Sequence, residues 1–186
     1  MGVRVVGAGA GILIGNRINN IVKSRAAAAA CAAKYATGLR SFFPGDCSDV
    51  RMPIVFMSEA VMPGIGEHVM ESQASGRPAI LNRTALLKAT NRGVAIAKCA
   101  LGMDLPVQNA GSSCDEYPFA STYQGGVPAS VAKVPLMSNW VQGGVLSGFY
   151  SACMVTPDVF PTNEFLVLPV ASSPGTNFQC RFFGPR

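Results

Sequence analysis

Apolar residues in this chain fall into short blocks separated by turn chemistry, and the blocks switch between strand-like and helical periods. Pro53-Ile-Val-Phe-Met57 is a continuous apolar run that suits a buried strand. After Met62-Pro63-Gly64, residues Ile65, Val69 and Gln73 recur at helical spacing, and Gly76 ends the helix. Residues 78–82 (Pro-Ala-Ile-Leu-Asn) read as a second strand, so strand, helix and strand with short loops suggest a βαβ unit. Thr84 can cap a further helix running towards Leu101, with Leu87, Val94 and Ala97 among its apolar positions. Gly111-Ser112-Ser113 then reads as a loop into a strand around Tyr117–Thr122, and Gln124-Gly125-Gly126 turns the chain. Residues 127–136 can return antiparallel, held to an edge by Pro128 and Pro135. Asn139 can cap a helix from Trp140 to about Cys153, and Glu164–Val170 reads as a last strand.

The start of the chain has a different texture. Residues 3–15 (VRVVGAGAGILIG) are apolar and rich in Gly and Ala, and 16–34 suit a helix with Ile18, Ile21 and Val22 on one face. The glycines do not make a dinucleotide fingerprint: Gly7/Gly9 leads to Ile12 and Gly9/Gly11 to Ile14 where the third glycine belongs. The acidic residue needed about 20 positions on is replaced by Lys23, Ser24 and Arg25. The run is shorter than the roughly 20 apolar residues of a membrane span, so no stable span is expected. The turn at Phe43-Pro44-Gly45-Asp46 is a plausible boundary, dividing 1–45, a Gly/Ala-rich and helical segment, from 46–186.

Composition narrows the function. With 49% hydrophobic residues over 186 positions the chain can build a real core, and a net charge of +5 leans it towards polyanionic partners. There are six cysteines, no CxxC pair and one histidine, His68, so a Cys/His zinc site does not fit. The even cysteine count suits disulfides in an oxidising compartment, although six cysteines allow 15 pairings; buried free thiols are the alternative.

The chemistry-bearing stretch is Cys114-Asp-Glu-Tyr-Pro-Phe-Ala-Ser-Thr-Tyr-Gln-Gly-Gly126. Only 13% of the chain is charged, yet Asp115 and Glu116 are adjacent acids beside Pro118. They can activate a water or bind a divalent ion, or instead cap a turn through backbone amides. Asp115 is the first candidate base and Glu116 the second; because successive strand residues face opposite sides, one of the two is expected to be structural. The order strand, turn, strand, helix places the acid pair across from the Asn139–Tyr150 helix. Arg77, Arg83, Lys88, Arg92 and Lys98 cluster in sequence and can track a phosphate backbone or line a solvated face. His68 reads as a helix histidine, and Trp140, Phe149 and Tyr150 read as core.

DEYPFAST followed by Gly-Gly resembles the core motif of the NucA/NucB deoxyribonuclease family. The resemblance covers roughly Met52 to Val170, is strongest at 115–126 and 139–150, and is weaker at 62–83. It implies an α+β fold with a small ββα-metal, His-Me finger-like core and flanking βα elements. It also implies a DNA-cleaving enzyme that uses Mg²⁺ or Mn²⁺, with Asp115 as base. The following helix should supply the metal ligand, for which Asn139, Gln142 and Ser147 are the polar candidates, while Arg83, Lys88 and Arg92 would meet DNA. Gln124 stands where an acid is common in the family. Members include secreted nucleases and toxic effector tips, so secretion or delivery into a target cell, and a protecting immunity protein, are further expectations. The alternatives are a non-catalytic DNA- or protein-binding module on the same scaffold and, more remotely, a membrane-active toxin using residues 3–15.

Overall fold

The computed structural model describes residues 8–43, 45–102, 108–109, 111–173 and 175–181. Its elements are α1 (Ala8–Tyr35), β1 (Ile54–Ser58), α2 (Ile65–Ala74), β2 (Ile80–Asn82), α3 (Lys88–Gly102), β3 (Gln108–Asn109), β4 (Ser112–Tyr117), β5 (Ser130–Pro135), α4 (Leu136–Ala152), β6 (Glu164–Val170) and β7 (Phe178–Gln179). The fold is α+β, as the sequence led one to expect.

Two sheets divide the work. The first has the order β2-β6-β1-β7, with β1 and β6 parallel and both flanking pairs antiparallel. Every residue of β1 and β6 is buried, which explains their unbroken apolar runs: a strand covered on both faces has no reason to alternate. The two faces nonetheless sort by parity. Ile54, Phe56, Leu166 and Leu168 join Ala28, Cys31 and Tyr35 of α1 in one core. Val55, Met57, Phe165 and Val167 meet Ile65 and Val69 of α2, Phe149 of α4 and Tyr117 of β4 in the other. The expected βαβ unit is absent. Strand β2 pairs antiparallel with β6 and is not a neighbour of β1, because β6, more than 80 residues later, inserts between them.

Helix α1 starts earlier than expected and turns a different face inward. Ile18 and Val22 are exposed, whereas Ala28, Cys31, Ala32 and Tyr35 pack on the sheet. The C-terminal half of the helix carries the small residues that let it lie close to β6, and Arg25 reaches the buried Glu164 at 3.3 Å. Residues before 46 thus share a core with the sheet, and the Cys31–Cys47 disulfide ties them to it. Of the Gly/Ala-rich run, residues 3–7 lie outside the described residues. No helix among those described is long and apolar enough to cross a membrane.

The second sheet, β3-β4-β5, positions the site. β4 and β5 form an antiparallel hairpin, with Asp115 opposite Ala132 and Glu116 opposite Val131. The chain then enters α4 directly after Pro135, and α4 packs back over the hairpin, completing a ββα unit. The acid pair is on the strand, as expected, but that strand is Ser112–Tyr117: it takes in Ser112 and Ser113, read as loop, and ends where a strand around Tyr117–Thr122 was expected to begin. Asn139 is likewise inside the first turns of α4 and does not cap it. The remaining cysteines pair as Cys99–Cys114 and Cys153–Cys180, so all six are oxidised, and the first of these bonds fastens α3 to β4 beside the acids.

Candidate functional site

Alternation along β4 sends its two acids in opposite directions. Asp115 faces α2. Its carboxylate lies 2.7 Å from Nδ1 of His68, whose Nε2 lies 2.9 Å from the Ser130 hydroxyl, which in turn meets Ser72 and donates to the Tyr117 carbonyl. Asp115 is 1% exposed. His68 is buried as well, so it is not a surface helix residue; it is the hub of a polar chain that clamps helix to hairpin.

Glu116 faces the other way, into a groove of about 670 Å³. Both its oxygens accept from one nitrogen of Arg92, at 2.7 and 2.9 Å. Burial pushes its carboxyl up from the ordinary glutamate range, and the Arg92 guanidinium opposes that shift. Among the described residues it is the one carboxylate lining the groove. The walls come from four places. The segment leading into α3 contributes Arg83, α3 itself Lys88 and Arg92, and the loop after β4 contributes Phe119, Ala120 and Ser121. Helix α4 contributes one face, in which Asn139, Gln142, Leu146 and Tyr150 recur at helical spacing and Ser147 lies beside them.

Local sequence explains why the walls hold. Asn91 of α3 donates to the carbonyls of Ala120 and Thr122, fixing the loop after β4. A β-carbon at Gly125 would lie 2.4 Å from the Phe119 carbonyl oxygen, and one at Gly126 would lie 2.5 Å from the Asn91 side-chain oxygen. Gly126 also has φ +78, so the Gly-Gly pair is required both for the turn and for this close approach. Gln124 bonds Asn82 and stays out of the groove. Asn139 donates to the Ser113 hydroxyl at 2.7 Å and to the Cys114 carbonyl at 3.0 Å, pinning α4 to β4 two residues before Glu116.

The basic cluster splits in two. Arg83, Lys88 and Arg92 line the groove. Arg83 lies over the Tyr150 ring, 4.4 Å from its centroid, and donates to the Val155 carbonyl. Tyr150, buried and bonded to Ser121, has its phenol pushed up to about 12 by that burial. Arg77 and Lys98 are elsewhere: they donate to the carbonyls of Pro128, Val127 and Ala129 and hold the β4–β5 connection. Phe149 and Tyr150 are core, as expected, but Trp140 is 57% exposed at the groove's edge. Three things escaped the sequence reading: the Arg92–Glu116 pair, the His68–Ser130–Ser72 chain and the exposure of Trp140. The first two join residues 24 to 62 positions apart, for which no local period gives a signal.

Residues 77–161 match the family model for deoxyribonuclease NucA/NucB. Residues 77–161 belong to the NucA/NucB deoxyribonuclease family. Every residue lining the groove falls between 83 and 151, inside the NucA/NucB segment, which also contains all of β4, β5 and α4. No curated protein matches the chain.

Proposed function

We propose that this chain is an endodeoxyribonuclease that cleaves DNA in the groove between β4, α3 and α4, with Glu116 as the proton acceptor. One observation carries the reading: within the NucA/NucB segment, the single groove carboxylate stands among Arg83, Lys88 and Arg92. A scissile phosphate drawn to those cations displaces Arg92 from Glu116 and engages the guanidinium itself. The freed carboxylate takes a proton from a water, whose oxygen forms a bond to phosphorus. The phosphorus–oxygen ester bond on the far side breaks, and the departing oxygen takes a proton from solvent. Partial burial suits Glu116 to this task, since a raised carboxyl is a stronger base than an ordinary one. Asp115, first choice on sequence, is engaged by His68 on the opposite face.

The oxygens present fit a divalent ion held jointly with the substrate. Among the described residues no three His, Cys, Asp or Glu side chains converge. Yet both N–H donations from Asn139 go to Ser113 and Cys114, which leaves its Oδ1 unengaged, and the Gln142 amide nitrogen is buried without a partner. Turning that amide over presents an oxygen instead. Asn139, Gln142 and Ser147 would therefore hold the ion, with phosphate oxygens and water completing the shell that Mg²⁺ or Mn²⁺ prefers. When bound, such an ion supplies Lewis-acid neutralisation of the phosphate.

The groove's cations address phosphate and carry no base code, which supports low sequence selectivity. Three disulfides support a working place outside a reducing cytosol, by secretion or delivery into a target cell as a toxin. An acidic immunity protein over the basic groove is the matching partner. The test is plasmid nicking with Mg²⁺ or Mn²⁺, with and without chelator. We expect cleavage from the wild-type protein and its loss in Glu116→Gln; undiminished nicking by that variant would overturn the assignment. The second reading, a DNA-binding module without catalysis, is favoured by the Arg92 grip on both Glu116 oxygens. It predicts gel-shift binding with no product under any divalent ion.

A further inference from the structure

We infer that the groove takes a single DNA strand, with Trp140 stacking on an unpaired base beside the scissile phosphate. This rests on the nuclease reading and names the form of its substrate. Arg83, Lys88 and Arg92 make the groove basic, whereas exposed apolar side chains stand beside it. On α4, Met137 is 64% exposed and Trp140 57%, with Val141 beside them, an apolar strip at helical spacing of which Trp140 lines the groove. Leu86, next to the groove residue Ala85, is 76% exposed. None of these side chains belongs to either core, and a lone tryptophan left in water on a helix has no folding reason to be there.

The arrangement separates two kinds of ligand surface. A duplex turns phosphates outward and keeps its base faces stacked inside, so it offers charge to the cations and nothing apolar to the side chains beside them. A single strand can lay its backbone along the cations and turn base faces outward onto Trp140, the pattern of aromatic platforms beside a basic track. Size agrees. A volume of about 670 Å³ falls in the range of roughly 300–1,000 Å³ typical of pockets that enclose a small molecule, which suits one or two nucleotides of one strand.

Trp140 is the only tryptophan in the chain, so its emission reports on this contact alone. The experiment uses the full chain carrying Glu116→Gln, which keeps DNA intact, titrated with a short oligodeoxynucleotide and with the same sequence as a blunt duplex. We expect the single strand to quench the emission and to bind at least about tenfold tighter than the duplex at equal salt. Replacing Trp140 by Ala should weaken single-strand binding, followed by the anisotropy of a labelled oligonucleotide because the emission is lost with the residue, about 5- to 150-fold, as loss of one stacked base does, while Trp140→Phe keeps most of the affinity by the same readout. In the otherwise wild-type chain, Trp140→Ala should lower cleavage of single strands more than of duplex. Equal affinity for the two forms, or single-strand affinity unchanged in Trp140→Ala, overturns the proposal. So does a concentration-dependent dimer that Trp140→Ala abolishes without any quench by DNA, which would assign the apolar strip to a protein contact. These failures differ from failure of the nuclease reading, in which Glu116→Gln cleaves as well as wild type whatever Trp140 does.

Discussion

Asp115 and Glu116 are the same chemical group one residue apart, and the structure gives them opposite surroundings. Asp115 looks inward at α2, where His68 and Ser72 of that helix and Ser130 of β5 form a polar chain. Glu116 looks outward into a basic groove, where its one partner is a half-exposed arginine that can leave. The inward face is fully engaged and fixed; the outward face is charged, accessible and only reversibly neutralised. A strand with both faces covered, one by a helix of the core and one by the walls of the groove, thus gives a doublet of acids two different surroundings. Position and not residue type decides which acid is available for chemistry.

The sharpest way to break this comparison is to remove the carboxylate on each face in turn. Glu116→Gln keeps the shape and removes the proton acceptor, so nicking should fall about 10²- to 10⁴-fold, the usual contribution of a general base, with the thermal melt little changed. Asp115→Ala should do the reverse. It leaves His68 Nδ1 without its partner in a buried setting, a loss of about 1–3 kcal/mol, which lowers the melting temperature by several degrees for a chain of this size. Residual activity per folded molecule should remain well above that of the Glu116 variant. If Asp115→Ala abolished nicking in protein that melts like wild type, the assignment of roles to the two faces would be reversed.

That the two acids would part company was legible, because a period of two is a property of any strand; which acid would face the chemistry was not. The answer depends on α2 covering one side of β4 and α3 and α4 the other, and nothing near residue 115 encodes that. The same divide runs through the fold. The runs that became β1, β6 and α4, and the returning strand β5, could be read locally, since each announces itself by composition, period or turn residues, whereas the first strand of the hairpin came several residues earlier than its aromatic and Thr-rich stretch suggested. The pairing of β2 with β6 and the His68–Asp115 contact could not, because each closes a loop of about 50 to 80 residues. Helix α1 misled for a different reason: its largest apolar residues, Ile18 and Val22, are exposed, and it docks through alanines that allow close approach. Trp140 misled likewise, since hydrophobic size was read as burial.

A smaller effect tests why Glu116 is ready to act. Burial raises its carboxyl and Arg92 restrains the rise. A base must be ionised, so the rate should climb with pH through the elevated value of Glu116. Arg92→Ala removes the restraint and should move that acid limb to higher pH. Stability should follow the same sign. With the folded value raised, the Glu116 contribution is complete below the ordinary glutamate range and is lost as pH rises through the elevated value; losing Arg92 deepens that loss. Melts and rates measured across mildly acidic to neutral pH check both, and a limb that stays in place in Arg92→Ala would remove Arg92 as the group that tunes Glu116.

The smallest effect separates a groove cation from a scaffold cation on a single helix. Lys88 and Lys98 both belong to α3, but Lys88 is exposed at the groove and Lys98 donates to the carbonyls of Val127 and Ala129. A cation that meets phosphate releases a counterion, and each such contact on a single strand adds about 0.7 to the slope of log affinity against log salt. Lys88→Ala should therefore flatten that slope by about 0.7, less than about a threefold change in affinity across a fourfold change in salt. Lys98→Ala should leave the slope alone and instead loosen the β4–β5 connection, with a slightly lower melting temperature. Fluorescence titrations of the Glu116→Gln chain at several salt concentrations make the distinction. Equal flattening by both variants would mean that charge anywhere on α3 serves DNA, and that the groove does not single out the residues lining it.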